Sequence, residues 1–405
     1  MAELVLSHTM SNRVRVRHPG YPRQNILFSI PARDGPNHDR AHFETVKAIC
    51  SIITDNEVDV WLTSVGESTR VESDADGLIP GADYYLQVPQ GNRPLNTPYP
   101  IVPTFRSWAF PHDAIPALWH EASKREEEES RMPDYVLSLV AEESCRITTF
   151  RLAREDAHII PASEKLWFTS NEMDEYGRLS GRSGDTVADT WFNKMRLQAQ
   201  AHKIWDDLDF AIIPKSHAVG QVGWFTQMMS ENDELEKHWH NKPLLPLTGR
   251  SLPYLYGRFA YTIFPKLHAF LQGGQARELT VHLPDGTKIT KNYGAAECYE
   301  FSRNQGRGRS ASSRKRSKTG AENAEDTEYK NDDDFAHASD RTHSQPTSVD
   351  SAISGVAQRD ESGSIDAEKF GSRHLCVRQE GEWWQYLCGH EFNEQRGRKR
   401  LRNDM

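Results

Sequence analysis

The chain has 405 residues, of which 37% are hydrophobic, and its mean hydropathy is −0.72. This length allows about two or three domains, but the low hydrophobic content predicts that part of the chain does not fold. The formal net charge of −9 argues against a protein that holds nucleic acid by its overall charge.

The cysteines and the apolar runs bear on the cellular compartment of the protein. The five cysteines form no C-x-x-C pair, which suits a reducing compartment. No apolar run approaches the roughly 20 residues of a membrane span, and the N-terminal residues lack the apolar core of a secretory signal. We therefore expect an intracellular protein without a membrane partner.

Residues 1–135 are predicted to form a separate domain of mixed α/β type. The runs NRVRVRH, ILFSIP, DVWLTS and ADYYLQV have strand character, and HFETVKAICSIITDNE has helical spacing. The stretch from Gly77 to Gly81 is interpreted as a turn, because its glycines lack the spacing of a phosphate-binding loop. The residues leave open whether this domain binds a partner or packs against the next one.

Residues 143–215 contain the candidate catalytic and metal-binding side chains. His158 lies in the apolar run AHIIP, which is typical of a short strand that ends at a proline. His202 and Asp206 are four residues apart in a helix-forming run, so both side chains share one face and can share a divalent metal ion. A strand histidine opposite such a helix suits phosphodiester hydrolysis. A lone strand histidine, however, is more often a hydrogen-bonded core residue.

The order and gaps of these residues resemble the HNH nuclease domain, in the version found in many fungal proteins. The matching patterns are C-x-x-T, A-H-I-I-P and N-x-x-x-L-x-x-x-x-H-x-x-x-D, with these positions: Cys145, Thr148, His158, Asn193, Leu197, His202 and Asp206. Further matching blocks are Glu164, Trp167-Phe168, Asn171, Met173, FAIIPK, His240-Asn241, Phe259-Ala260 and IFP. The resemblance covers residues 140–275.

The resemblance implies an α+β chain in which residues 136–300 form an HNH (ββα-metal) domain with a helical extension. It further implies a metal-dependent endonuclease with His158 as the general base, Asn193 as the brace of the facing loop, and His202 as a metal ligand. Asp206 is the expected second ligand. The implied cofactor is Mg²⁺, Mn²⁺ or Zn²⁺, and the implied substrate is nucleic acid, with DNA expected.

The predicted geometry of this domain has three parts. Residues 145–149 and 156–160 are predicted to pair as antiparallel strands. A helix is predicted to begin near Gln198 or Ala199 and to bring His202 opposite His158. A histidine-to-histidine separation within about 10 Å would leave room for one hydrated metal ion and a phosphate.

Four positions differ from the usual residues of that family. Ala157 stands where many members have a metal ligand, and Gln198 and Gln200 stand where relatives carry Arg and Asp. Thr149-Phe150 stands where relatives show Thr-Gly. Asp156 replaces the missing ligand only if the strand is bulged, because a regular strand points it to the opposite face. These differences favour an alternative function, a catalytically inactive HNH scaffold that serves as a nuclear nucleic-acid- or protein-interaction module.

The C-terminal part of the chain divides into a segment predicted to fold and a segment of biased composition. Helices are predicted over LPYLYGRFAYTIFPKLHAFLQ, and a hairpin over RELTVHLPDGTKITKNY. Residues 301–370 are rich in Ser, Arg, Asp and Gly and are predicted to be a disordered linker, followed by a short C-terminal segment, 371–405. Basic blocks at 314–318 and 396–402 predict binding to a nuclear import receptor and a nuclear location. The oligomeric state stays open.

Overall fold

The computed structural model describes residues 12–89, 91, 94–130, 143–177, 188–216, 222–247 and 250–305. Within them the chain is an α+β protein, as predicted. The described residues all belong to one compact unit, so those of the N-terminal region and those after 143 share one packed structure. The linker predicted for residues 301–370 begins too early, because residues 301–305 end the helix Ala295–Gln305. The predicted boundary near residue 135, the rest of the linker and the segment at 371–405 lie outside the described residues.

The N-terminal region is built on one sheet with a helix beside it. Its elements are β1 (Arg13–Arg17), β2 (Ile26–Pro31), β3 (Arg40–His42), α1 (Phe43–Ile53), β4 (Trp61–Ser64), β5 (Leu78–Pro80) and β6 (Asp83–Gln87). The strand order in the sheet is β2-β1-β6-β4, in which β1 and β6 are parallel. Val14 and Val16 are buried and the three arginines that alternate with them are not, so the alternation RVRVR sets the face of β1 that meets the core. The strands and the helix predicted here are confirmed.

The turn predicted for residues 77–81 is only partly right. Leu78–Pro80 forms β5, which pairs antiparallel with β3. The change of direction comes earlier, where the Asp74 carboxylate accepts the N–H groups of Asp76 and Leu78. Gly77 has a φ of +73°, a backbone conformation that glycine adopts without steric cost.

The middle of the chain contains two strands that are followed directly by a helix. Its elements are α2 (Ala117–Ser130), β7 (Arg154–His158), α3 (Lys165–Ser170), β8 (Lys194–Gln198), α4 (Ala199–Asp206), β9 (Phe210–Ser216) and β10 (Val222–Met228). β7 pairs antiparallel with β8, and β9 pairs antiparallel with β10. The helix predicted to begin near Gln198 or Ala199 is confirmed, and the FAIIPK block of the resemblance forms most of β9.

The strand predicted for residues 145–149 is wrong. These residues form a turn in which the Thr149 N–H donates to the Cys145 carbonyl oxygen at 3.0 Å, and Thr149 has a φ of +62°. A β-branched residue with positive φ does not continue an extended strand. The partner of β7 is therefore β8, along the full length of both strands.

The helical extension packs on the ββα unit, which consists of β7, β8 and α4. Its elements are α5 (Asp233–Trp239), α6 (Leu252–Ile263), α7 (His268–Leu271), β11 (Arg277–His282), β12 (Lys288–Tyr293) and α8 (Ala295–Gln305). The Arg258 guanidinium lies 4.1 Å above the Trp205 ring of α4. A Cβ on Gly257 would stand 3.0 Å from the Ile160 side chain, so α6 lies close against the end of β7. The predicted helices and the β11–β12 hairpin are confirmed.

A buried charged network fastens the N-terminal region to β9. Asp34 Oδ1 accepts hydrogen bonds from Lys215 Nζ at 2.7 Å, His240 Nε2 at 3.1 Å and Asn241 Nδ2 at 2.7 Å. Asp34 Oδ2 accepts the His42 N–H at 2.8 Å. Burial raises the pKa of Asp34, but the Lys215 charge and the His240 hydrogen bond outweigh burial and hold this pKa well below its usual range.

Among the helices of the described residues, none combines the length and the apolar character that a membrane span requires.

Candidate active site

His158 is the last residue of β7, where the chain leaves the hairpin. Its carbonyl oxygen accepts a hydrogen bond from Trp205 Nε1 of α4 at 3.0 Å, which ties the strand end to the helix. Its ring nitrogen Nε2 lies 3.1 Å from Asp189 Oδ1. The side chain is about one-third exposed, so His158 is a partly accessible imidazole rather than a core residue.

Asn193 is fully buried and binds the chain on both sides of the long connection between β7 and β8. Its Oδ1 accepts the Ile160 N–H at 2.8 Å, and its Nδ2 donates to the carbonyl oxygens of Ile160 at 2.9 Å and Ala188 at 2.8 Å. The Ile159 N–H donates to the Asn193 carbonyl oxygen at 2.8 Å. All the hydrogen-bonding groups of the amide except one lone pair are used, and Asn193 therefore braces the segment that follows His158.

His202 lies on the first turns of α4 and contacts two carboxylates. Its Nδ1 is 2.6 Å from Glu155 Oε2 on β7, and its Nε2 is 3.5 Å from Asp206 Oδ2 one turn further along the helix. α4 has Gln198 as its N-cap, and Gln198 makes no capping hydrogen bond with its side chain. The position of the helix therefore depends on its packing against the hairpin.

Alternation along β7 and β8 divides their residues between two faces. His158 pairs with Lys194 and Asp156 pairs with Arg196, and residues directly opposite each other in antiparallel strands share a face. Lys194 and Arg196 are not buried. This set, together with Arg154, defines what we call the outer face of the hairpin.

The inner face carries the opposite residues. Ala157, Met195 and Leu197 are buried there, and Glu155 belongs to the same face because it is two residues from Ala157. The hydrogen bond from His202 to Glu155 shows that α4 packs on this side. The described contacts thus bring His202 to Glu155, and they connect α4 to His158 through the Trp205 indole and the strand backbone. Alternation assigns His158 to the outer face, whereas His202 meets the inner face. The facing of the two rings therefore depends on how His158 leaves the hairpin at the end of β7, and it stays a prediction.

The structure removes Asp156 as a replacement for the ligand missing at Ala157. β7 and β8 pair in continuous register without a bulge. Asp156 lies on the outer face, where its Oδ1 is 3.4 Å from Arg196 Nε. Glu155 is instead the acidic residue of β7 that reaches His202.

The donor atoms on α4 fit a divalent cation. His202 Nε2 and Asp206 Oδ2 are 3.5 Å apart, close enough for both to reach one ion at about 2.0–2.2 Å. The Glu155 carboxylate accepts the hydrogen of His202 Nδ1, which leaves the Nε2 lone pair for a metal, as in carboxylate-histidine-metal arrangements. Within the described residues no group of three or more His, Cys, Asp and Glu side chains converges on a metal position. An ion held by His202 and Asp206 would take its remaining ligands from water or substrate.

None of the protein-family models, curated proteins or solved structures compared with this chain matches it. The resemblance to the HNH nuclease domain accordingly rests on the residues and the geometry described above.

Sequence reasoning missed two residues of the site. Glu155 had a usable signal, because it stands two positions before Ala157 and a strand points such residues to the same side. Asp189 had none, since nothing in its local sequence connects it with His158, which is 31 positions earlier. Only the fold brings these two together.

Proposed function

We propose that this chain is a metal-dependent endonuclease of the HNH type, which hydrolyses phosphodiester bonds of nucleic acid, with DNA as the expected substrate. The observation that carries this proposal is the unit formed by β7, β8 and α4. It places His158 at the end of the first strand, Asn193 immediately before the second strand, and His202 with Asp206 on the helix that follows. The proposed general base, brace and metal ligands thus follow one another at the end of β7, just before β8 and on α4, in the order that the HNH resemblance implies.

In the proposed reaction the unprotonated imidazole of His158 takes a proton from the attacking water. Asn193 holds the backbone after His158 so that the ring keeps its position relative to the substrate. His202 and Asp206 would hold a divalent cation, which would neutralise charge on the phosphate and the leaving 3′-oxygen. Glu155 orients the His202 ring for that task.

The outer face of the hairpin supports a nucleic-acid substrate despite the net charge of −9. The face and its neighbour Asp189 carry three cations and two carboxylates: Arg154, Lys194, Arg196, Asp156 and Asp189. Lys194 pairs with Asp189 and Arg196 with Asp156, so the surplus is the one positive charge of Arg154, at the other end of β7 from His158. A local surplus of positive charge favours a phosphate backbone, and the sum over the whole chain does not determine it.

The proposed activity is tested by incubating the purified chain with supercoiled and linear DNA in Mg²⁺, Mn²⁺ or Zn²⁺. We expect cleavage with at least one cation, and we expect His158→Ala to slow it by about 10²–10⁴-fold, the usual contribution of a general base. Because His158 is not a ligand, this variant should keep the bound cation and the melting temperature. His202→Ala should lose the cation and its stabilising contribution, and Asp206→Asn should fall between the two.

The matched control is His120→Ala, since His120 is an exposed histidine on α2. It should cleave as the wild type does. Wild-type protein that binds no cation and cuts nothing, with both site-histidine variants equally stable, would overturn the enzyme proposal.

The second candidate function is an inactive HNH scaffold that acts as a nuclear interaction module. Ala157 favours it, because the β7 position next to the base has no side chain that can reach a metal. The amount of metal retained by the purified protein separates the two functions. A bound cation in a one-to-one ratio is expected for the nuclease only.

We also propose a nuclear location, read from the basic blocks at 314–318 and 396–402, which lie outside the described residues. Import receptors bind clustered cations. A fluorescent fusion of the full chain should accumulate in the nucleus, and changing every Lys and Arg of both blocks to alanine should abolish this. Accumulation that persists in the altered fusion would contradict the assignment.

A further inference from the structure

Asp189 contacts the His158 ring from the connection that leads into β8. Its Oδ1 is 3.1 Å from His158 Nε2, and the same carboxylate forms an ion pair with Lys194, the residue directly opposite His158 in the hairpin. In the described part of the chain, His158 Nδ1 has no hydrogen-bonding partner, whereas Nε2 is occupied by Asp189. The two nitrogens of the ring therefore have different environments.

The ionisation of Asp189 determines which nitrogen carries the hydrogen. The hydrogen bond from Lys194, followed by the one from His158, holds the pKa of Asp189 below its ordinary value. The carboxylate is therefore ionised at neutral pH and can only accept hydrogen bonds. Its contact with Nε2 requires a hydrogen on Nε2, and in a neutral imidazole this leaves the lone pair on Nδ1.

The buried amide of Asn193 fixes the distance between these two side chains. Its Nδ2 donates both to the Ile160 carbonyl oxygen, two residues after His158, and to the Ala188 carbonyl oxygen, one residue before Asp189. The chain segments that carry the imidazole and the carboxylate are therefore held to the same amide group. The Trp205 indole fixes the other side of His158 through its carbonyl oxygen.

We propose that Asp189 is a positioning residue that holds His158 in the Nε2–H form, so that Nδ1 is the atom that accepts the proton of the attacking water. This inference rests on the proposed nuclease function and names the atom and the orienting group in it. Asp189 acts through His158 and has no contact with the substrate in this scheme. The hydrogen bonds of Asn193 then serve to hold the Asp189 carboxylate at hydrogen-bonding distance from the His158 imidazole.

The experiment compares the imidazole nitrogens of His158 by nitrogen-15 NMR in the full chain, at a pH where the ring is neutral. Wild type should show the hydrogen on Nε2. In Asp189→Asn, Lys194 occupies the one remaining carbonyl oxygen and the amide turns its N–H groups to the ring, so the hydrogen should move to Nδ1. The matched control is Asp156→Asn, which changes an acid on the same face that pairs with Arg196. It should keep the wild-type form.

Cleavage of DNA gives the second measurement. Asp189→Asn should lose about 10²–10⁴-fold in rate, because its base carries the hydrogen on the wrong nitrogen. The control for cleavage is Asp59→Asn, which changes an exposed aspartate away from the hairpin and should stay within about twofold of wild type. A wild-type ring with its hydrogen on Nδ1, or Asp189→Asn that cleaves at the wild-type rate, would overturn the proposal.

The two proposals fail in distinguishable ways. If wild type does not cut DNA but its ring has the Nε2–H form and Asp189→Asn loses it, the positioning role of Asp189 is supported and the nuclease is overturned. If wild type cuts DNA while its ring has the Nδ1–H form, the nuclease stands and Asp189 is not its positioning residue.

Discussion

Replacing Asn193 by alanine is expected to lower the free energy of unfolding by about 3–5 kcal/mol. The change removes three side-chain hydrogen bonds and leaves the Ile160 N–H, the Ile160 carbonyl and the Ala188 carbonyl without their partner. Each buried polar group that loses its partner costs about 1–3 kcal/mol, and the cavity adds to this unless water fills it. Urea-induced unfolding of the two proteins measures the difference.

The control for this variant is Asn292→Ala. Asn292 is an exposed asparagine on β12, and its loss should change stability by less than about 0.5 kcal/mol. Equal stability of Asn193→Ala and wild type would show that the amide does not brace the connection. Below its unfolding transition, Asn193→Ala should also cleave more slowly, because the segment carrying Asp189 is no longer held beside His158.

Replacing Lys215 by methionine is expected to lower the free energy of unfolding by about 3–5 kcal/mol as well. Lys215 and Asp34 are both about 95% buried, and the change leaves the carboxylate without its cation in a site that water does not reach. Adding Asp34→Asn removes the stranded charge, so the double variant should recover part of this loss. The control is Lys47→Met, which breaks a partly exposed helix pair with Glu44 and should cost less than about 0.5 kcal/mol.

The contribution of the Lys215–Asp34 pair to stability depends on pH, and the titration of Asp34 sets the direction of this dependence. The pKa of Asp34 is lower in the folded than in the unfolded chain, so the stabilisation is complete above the unfolded value of about 3.9 and is lost as the pH falls through the folded value. Lys215→Met lacks this stabilisation at every pH. The stability difference between wild type and Lys215→Met should therefore narrow below about pH 4. A difference that stays constant in acid would show that Lys215 acts by packing alone.

The buried network gives the N-terminal region a structural relation to the candidate site. Asp34 belongs to that region, whereas Lys215 ends the FAIIPK strand that follows α4. His240 and Asn241, which match a downstream block of the HNH resemblance, bind the same carboxylate. The N-terminal region thus packs against β9, the strand that follows α4, through this network.

The sequence by itself determined the elements that depend on local periodicity and turns. Alternation predicted the strand RVRVR, helical spacing predicted the helix that carries His202 and Asp206, and Pro-Asp-Gly-Thr predicted the β11–β12 hairpin. His202 was found because it stands four residues before Asp206 in a helix-forming run, and Asn193 through the resemblance to the HNH pattern. Such features involve neighbours within a few residues, so the chain shows them without its fold.

Only the tertiary structure decided the features that join distant segments. β7 pairs with β8 and not with residues 145–149, which form a turn with a positive φ at Thr149. The sequence did not predict this turn, because residue types do not reveal such a backbone conformation. Glu155 meets His202, and Asp189 meets His158, through strand register and a brace set by Asn193. The acidity of Asp34 and Asp189 likewise depends on cations that the fold brings to them. Register, burial and charge pairing are properties of the packed chain, and for this reason local pattern predicted the candidate residues but not their partners.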